Sequence, residues 1–156
     1  DNIPRWCTEY ERAISESGGV DLQILGIGED GHIGFNEPTS SLGSRTRLKT
    51  LTDATTHQNQ MLFKKHGGYV PRHVITMGVG TILESRRCLM LACGAHKADA
   101  VAAMVEGPVT AFCPASALQL HPDTIALMDE DAARHLKLSS YYRNVYRNKP
   151  EWQQLI

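Results

Sequence analysis

The chain has 156 residues, of which 42% are apolar and 21% are charged, and its formal charge at pH 7 is −1. This size and composition predict one soluble globular domain with a buried core. The near-zero charge gives no reason to expect nucleic acid as a partner, and no apolar run approaches the roughly 20 residues that span a membrane. The four cysteines lack CxxC spacing, which disfavours a zinc framework or dense disulfides and favours reduced thiols in a cytoplasmic protein.

The first predicted element is a helix over about 4–17, which should end at the glycine pair Gly18-Gly19. Its apolar pattern begins directly after Asp1, and the chain has no initiator Met. We therefore expect the sequence to be a piece of a longer protein.

A predicted strand follows over 20–28, and a loop hangs from its C-terminal end. The segment RTRLKTLT, residues 45–52, alternates basic or polar residues with apolar ones, which predicts a short strand whose polar edge could face a ligand. A helix over 53–65, capped by Thr52 or Asp53, comes next.

In the second half, strands alternate with helices. Strands are predicted at 73–77, 88–93 and 124–128, and helices within GVGTILES and at 96–106, 114–118 and 129–135. This order predicts a three-layer α/β/α fold with a largely parallel, Rossmann-like sheet, present here as an incomplete domain. We assign residues 1–136 to that domain and 137–156, which are aromatic and basic without a clear period, to a tail or linker.

The loop after the first strand is GEDGHIGFNEP, residues 28–38. Its glycines permit backbone conformations that aim the intervening side chains at a ligand, and ligands bind at the C-terminal ends of strands in open α/β sheets. A histidine beside a carboxylate is a common proton shuttle. Asp30, His32 and Glu37 are therefore the candidate catalytic set, a relay that could take a proton from one sugar-like oxygen and deliver one to another.

Each of these residues also has a purely structural interpretation. Asp30 could cap a turn, His32 could be a hydrogen-bonded loop histidine, and Glu37 with Pro38 could begin a helix. All three residue types also bind metals, but their spacing matches no zinc or hydrolase motif such as HExxH. The crowding of these groups at one strand end favours a catalytic role over the structural one, and the spacing disfavours a metal site.

The loop, together with SSLGSRTRLKTLT, GVGTILES, GAHKADAV and ALQLHPD, resembles the glucosamine-6-phosphate deaminase family, whose members are also called glucosamine-6-phosphate isomerases. The resemblance covers about residues 7–137. The 6-phosphogluconolactonases share the fold and a DGH triplet, but the FNEP continuation favours the deaminase branch. The resemblance implies the C-terminal portion of an enzyme that converts glucosamine 6-phosphate to fructose 6-phosphate and ammonia. The steps would be ring opening, aldose-ketose isomerisation and deamination, without a metal or organic cofactor.

The resemblance also implies a role for individual residues. The histidine matching His32 opens the sugar ring as an acid and base, and the carboxylates matching Asp30 and Glu37 orient and tune it. The lysine matching Lys97 binds the substrate phosphate. Its position at the start of a predicted helix suits an anion, although a solvated surface lysine is the alternative.

A second ligand is implied as well. In allosteric members the activator N-acetylglucosamine 6-phosphate binds between subunits, and relatives are often hexamers, so we expect a homo-oligomer. Arg45 and Arg47 beside hydroxyl groups would suit a phosphate. A tyrosine of that site falls near Tyr141 or Tyr142. The matching activator positions here are Ser40, Arg47, Lys49 and Thr50.

Two departures from the family pattern affect this interpretation. The phosphate-binding Gly/Thr loop and the enolising aspartate are expected upstream of Asp1, so the chain alone should be inactive and should leave apolar faces open. Met61 occupies the position of an arginine that usually holds the substrate phosphate, and a thioether cannot replace a guanidinium. Lys64, Lys65 or Lys97 could supply the charge, or the substrate or the activity could differ.

Three other functions stay open on the sequence. One is a non-catalytic sugar-phosphate-binding or regulatory domain that kept the loop. The others are a galactosamine-6-phosphate isomerase and a 6-phosphogluconolactonase-like hydrolase.

Overall fold

The computed structural model describes residues 2–53, 55–57, 60, 68 and 70–153. Helices and strands are interleaved along this chain, as the sequence predicts. Two 3-10 helices, Ala95–Lys97 and Pro114–Leu120, accompany the regular elements. These elements are α1 (Ile3–Glu16), β1 (Leu22–Gly26), β2 (Arg47–Thr50), β3 (His73–Thr76), α2 (Val79–Leu83), β4 (Arg87–Ala92), α3 (Ala98–Glu106), β5 (Thr124–Met128), α4 (Glu130–Ala133) and α5 (Ser139–Arg147).

The strands form two sheets. The larger is parallel, in the order β1-β4-β5, with Leu25 opposite Met90 and Met90 opposite Ala126. The smaller is an antiparallel pair of β2 and β3, with Arg47 opposite Thr76. The predicted α/β class with a parallel sheet is therefore confirmed, and the antiparallel pair is an addition that the sequence did not indicate.

The parallel sheet has one covered face and one open face, because side chains alternate along each strand. On the covered face Leu25, Cys88 and Met90 are buried in a core that α2 and α3 complete with Val79, Ile82, Val101 and Met104. On the opposite face Leu22, Ile24, Leu91 and Leu127 are between 44% and 58% exposed. Of the three predicted layers, the described chain thus supplies the sheet and the helices on one side.

Helix α1 is tied to α2 and to the segment just before β2 through one carboxylate. Glu11 accepts hydrogen bonds from the backbone N–H of Thr46 at 2.7 Å and the hydroxyl of Thr81 at 2.7 Å, and it pairs with Arg45. Burial alone would raise the pKa of Glu11, but these bonds outweigh burial and lower it. The C-terminal end of α1 is closed by Gly18 and Gly19, which have φ of 88° and 89°.

The predicted helix over 53–65 is only partly within the described chain. Residues 53, 55–57 and 60 are helical. The Thr52 hydroxyl accepts the backbone N–H of Thr55 at 3.3 Å, so Thr52 is the capping residue. Met61, Lys64 and Lys65 lie outside the described residues.

The C-terminal region contains a helix, α5, where the sequence shows no clear period. Glu106, the last residue of α3, accepts the backbone N–H groups of Lys137 at 2.9 Å and Leu138 at 2.8 Å. Arg143 of α5 also pairs with Glu130 of α4. The division between 136 and 137 stays a prediction. No helix in the part of the chain that the structure describes is long and apolar enough to cross a membrane.

Candidate functional site

Three loops leave the parallel sheet at the same edge. Gly26 of β1 is opposite Leu91 of β4, which is opposite Leu127 of β5, so the segments after these strands begin side by side. The backbone N–H of Gly94 donates to both carboxylate oxygens of Asp129, at 3.0 and 2.9 Å, and thereby joins the loops after β4 and β5. The candidate catalytic loop is therefore at the carboxyl edge of the sheet, where ligands bind in such folds.

Asp30 and His32 form a close pair in this loop. The ring Nδ1 of His32 is 2.6 Å from Asp30 Oδ1, which also accepts the backbone N–H of His32 at 3.2 Å. An ionised carboxylate only accepts hydrogen bonds, so the His32 Nδ1 carries the proton and Nε2 is left as the ring's acceptor. The His32 side chain is 14% exposed and that of Asp30 is 41% exposed, which leaves the pair within reach of a ligand.

Two glycines give the pair its shape. A Cβ on Gly28 would lie 2.1 Å from His32 Nδ1, so only glycine leaves room for the ring. Gly31 has φ of 82°, and a Cβ there would lie 2.6 Å from the Sγ of Cys113. The Gly31 carbonyl also accepts the backbone N–H of Ala115 at 2.9 Å. The loop is therefore packed against the 113–115 segment as well as folded on itself.

Glu37 is placed differently from the other two predicted catalytic residues. Its side chain is buried, and it accepts the backbone N–H of Thr52 at 3.1 and 3.2 Å and the Thr52 hydroxyl at 2.8 Å. Among the hydrogen bonds of the described residues none joins Glu37 to His32. The structure thus brings Asp30 and His32 together and fixes Glu37 against the cap of the next helix.

Asn36, which the sequence analysis did not single out, is the central polar residue of the loop. It is completely buried, donates to the carbonyl oxygens of Ile33 at 2.9 Å and Met77 at 2.8 Å, and accepts a hydrogen bond from Arg47 at 2.9 Å. The FNEP motif contains this residue, but nothing in the local sequence indicates that its partners come from β2 and the end of β3.

Lys97 ends the 3-10 helix that follows β4 and directly precedes α3. The residue is half-buried. In the hydrogen bonds and ion pairs of the described chain, its ammonium group has no protein partner. A free cation beside the first N–H groups of a helix is suited to an anionic group.

The predicted activator positions do not form one free basic cluster. Arg45 is paired with Glu84 and, more weakly, with Glu11, which raise its pKa, and Arg47 is bonded to Asn36. Ser40 is buried and its hydroxyl has no hydrogen-bond partner among the described residues. The other two predicted activator positions, Lys49 and Thr50, lie on β2.

The two candidate tyrosines lie on α5. Tyr141 is exposed. The pKa of Tyr142 is raised by burial and by the neighbouring Glu106 carboxylate. Neither residue is connected to Arg47 or Ser40 by a hydrogen bond within the described part of the chain.

Other sites are limited in the described residues. No group of three or more His, Cys, Asp or Glu side chains there is arranged to hold a metal ion. The four cysteines are free thiols, and Cys93 is the exposed one.

Comparisons with known proteins identify the family of this chain. The model of the family of glucosamine-6-phosphate isomerases and 6-phosphogluconolactonases matches residues 2–127. A glucosamine-6-phosphate deaminase of Streptomyces coelicolor is 61% identical over 94% of this chain, and one of Streptomyces avermitilis is 60% identical over 98%. The chain spans 56% and 59% of the length of these two relatives.

Solved structures give the same result. A structure described as a monomeric glucosamine-6-phosphate deaminase matches with a TM-score of 0.81 and 44% identity, covering 86% of this chain and 56% of that one. A 6-phosphogluconolactonase of Trypanosoma brucei matches with a TM-score of 0.64 at 19% identity over 86% of this chain and 54% of that one, which concerns the fold alone. The chain therefore belongs to the family of glucosamine-6-phosphate isomerases and 6-phosphogluconolactonases.

Proposed function

We propose that the full-length protein converts glucosamine 6-phosphate to fructose 6-phosphate and ammonia. The observation that carries the proposal is the 61% identity to a relative with that deaminase name across nearly the whole of this chain. The site geometry supports it, because the loop at the carboxyl edge of the sheet contains a positioned acid-base pair.

Ring opening is the step that the described residues can perform. With Asp30 holding Nδ1–H, the Nε2 of His32 is free to accept a proton from the anomeric hydroxyl of the sugar. It then returns that proton to the ring oxygen as the bond from C1 to the ring oxygen breaks, so the open-chain aldehyde forms with no net change on the enzyme. Asp30 stabilises the transient imidazolium charge.

We assign Glu37 a supporting part in this step. Its carboxylate is buried without a cationic partner among the described residues and is fixed by Thr52. Because the carboxylate anchors the C-terminal end of the loop on Thr52, it helps to hold His32 in place for the proton transfer without a direct hydrogen bond to it.

Lys97 is our candidate for binding the substrate phosphate, since its ammonium is free and next to the start of α3. The enolisation that moves the C2 proton toward C1 needs a further carboxylate, which we do not assign to this chain. Water then adds to C2 of the resulting imine, and loss of ammonia from the adduct gives the ketone of fructose 6-phosphate. No metal or organic cofactor is part of the proposal.

The activator site and the assembly state are separate proposals. Ser40, Arg47, Lys49 and Thr50 remain the residues we would test for binding N-acetylglucosamine 6-phosphate. A homo-oligomer remains the expectation from the resemblance, but the solved relative described as monomeric gives the hexamer no support. We also propose a cytoplasmic location, which the four free thiols support.

The test is ammonia release from glucosamine 6-phosphate by the full-length protein and by His32→Gln. Loss of the proton shuttle should slow turnover by about 10²- to 10⁴-fold. The matched control is His135→Gln, because His135 Nδ1 is likewise 2.6 Å from Asp99 Oδ1 but lies outside the loop, and it should keep full activity.

Three outcomes would contradict the proposal. Calorimetric binding of the sugar phosphate without turnover would favour a non-catalytic domain. Turnover of galactosamine 6-phosphate instead would favour the sibling isomerase, and hydrolysis of 6-phosphogluconolactone would favour the lactonase.

A further inference from the structure

A polar side chain in a fully buried position is informative, because burying a polar atom costs free energy unless that atom forms a hydrogen bond. Asn36 is 0% exposed, and both its amide nitrogen and its amide oxygen are hydrogen-bonded. An apolar residue of similar size would fill the same space, so the amide serves the connections that it makes.

Those connections join three separate segments. The nitrogen donates within the loop to the Ile33 carbonyl, closing the turn in which Ile33 and Asn36 form an isolated bridge. It donates also to the Met77 carbonyl just beyond β3, beside the Thr76 hydroxyl that accepts the Phe35 N–H at 3.0 Å. The oxygen accepts from Arg47 of β2. These bonds fix the position of the loop relative to both β2 and β3.

Arg47 makes few other hydrogen bonds among the described residues. Its guanidinium makes one more bond, to the Arg45 carbonyl at 3.2 Å, and no carboxylate pairs with it among the described residues. Burial lowers its pKa. The contact with Asn36 is thus the main protein bond of a half-buried cation.

Glu37 is the residue directly after Asn36, and its carboxylate is held by Thr52, two residues beyond the end of β2. The same extended segment therefore holds the loop at two adjacent points, through Arg47 on Asn36 and through Thr52 on Glu37. A shift of Asn36 must move the backbone of Glu37.

We propose that Asn36 is a positioning residue for the ring-opening step, which couples Arg47 of β2 to the placement of Glu37 and, through Glu37, of the loop that carries His32. This inference rests on the proposed function. Asn36 touches neither the substrate nor the reacting atoms, and it acts through Glu37.

The experiment measures kcat and KM for glucosamine 6-phosphate in the full-length protein carrying Asn36→Ala, Glu37→Gln or both. Small misplacements of catalytic groups cost up to about 100-fold, so Asn36→Ala should lower kcat at least ~10-fold while KM changes little. Because Asn36 acts through Glu37, the double variant should be no slower than Glu37→Gln alone, and this non-additivity is a result that a purely structural role would not give.

Two further variants make the result decisive. Val101→Ala, in the fully buried core of α3, is the control for lost stability and should lower the melting temperature while kcat stays unchanged. Arg47→Gln removes the hydrogen bond that Asn36 accepts but keeps the two that Asn36 donates. It should therefore lower kcat less than Asn36→Ala does, and its loss should not add to that of Glu37→Gln. It serves as the readout if Asn36→Ala does not fold.

Unchanged kcat in Asn36→Ala and Arg47→Gln, or losses that multiply with Glu37→Gln, would overturn the inference while the proposed function stands. Absence of turnover in the unmodified protein would overturn both.

Discussion

The catalytic loop and the C-terminal helix α5 are attached to the protein by the same kind of bond at different depths. Glu37, 3% exposed, accepts the backbone N–H of Thr52, whereas Glu106 at the surface accepts those of Lys137 and Leu138. Water competes for the N–H groups that Glu106 binds at the surface, whereas the carboxylate of Glu37 is itself shielded from water. Because the two carboxylates differ in burial, their hydrogen bonds should contribute unequally to stability.

The largest effect should come from the tightest point of the loop. Gly28→Ala places a Cβ 2.1 Å from His32 Nδ1, so the ring must leave Asp30, and we expect deaminase activity of the full-length protein to fall about 100-fold or more. Gly26→Ala is the matched control, because a Cβ there meets nothing within 4 Å. Equal activity of the two variants would contradict the assigned geometry.

A smaller effect should separate the two carboxylates. Glu37→Ala removes a buried carboxylate together with its bonds to the N–H and hydroxyl of Thr52, and it should lower the free energy of unfolding by about 1–3 kcal/mol. Glu106→Ala should lower it clearly less, since solvent reaches the N–H groups that it releases. Urea denaturation of both variants tests the difference, and the reverse order would show that burial does not decide it.

The smallest effect concerns pH and α5. Hydrogen bonds from the Leu138 and Lys137 backbone lower the pKa of Glu106 below its ordinary 4.5. A lowered folded-state pKa adds stability above 4.5 that disappears as pH falls through the folded value. We therefore expect the amide protons of α5, corrected for intrinsic exchange, to lose protection on acidification before those of β4.

Glu106→Gln supplies the control for this prediction. Its α5 amides should be less protected at neutral pH and should change little over the same acid range. If the variant and the unmodified protein lost protection in parallel, a different group would be responsible for the pH dependence.

Local sequence predicted the parallel core well, because strand and turn signals there lie within a few residues of each other. TIALM matches β5 over 124–128. The predicted strand over 20–28 is longer than β1, since Gly28 leaves the sheet to donate its N–H to the His32 carbonyl at 2.9 Å. That turn also explains why Asp30 and His32, two residues apart, could be paired from sequence alone.

Features that depend on distant partners were not predictable. The two residues before α5 are held by Glu106, 31 residues before Lys137, so the helix's own segment shows little of the signal that places its start. The bond between Arg47 and Asn36 depends on how β2 pairs with β3. Glu37 is bonded to Thr52 instead of His32, a contact between residues 15 positions apart that the local sequence around Glu37 does not indicate.

The alternation of buried and exposed side chains along β1, β4 and β5 has a practical consequence. The open face carries a strip of exposed apolar side chains, namely Leu22, Ile24, Leu91 and Leu127. A chain of this extent prepared by itself should therefore bind hydrophobic dyes and self-associate. Because Leu25 and Met90 point the other way, lysine or glutamate could replace the exposed four without entering the core. That strip is the place to add charge when a concentrated, monodisperse sample is wanted.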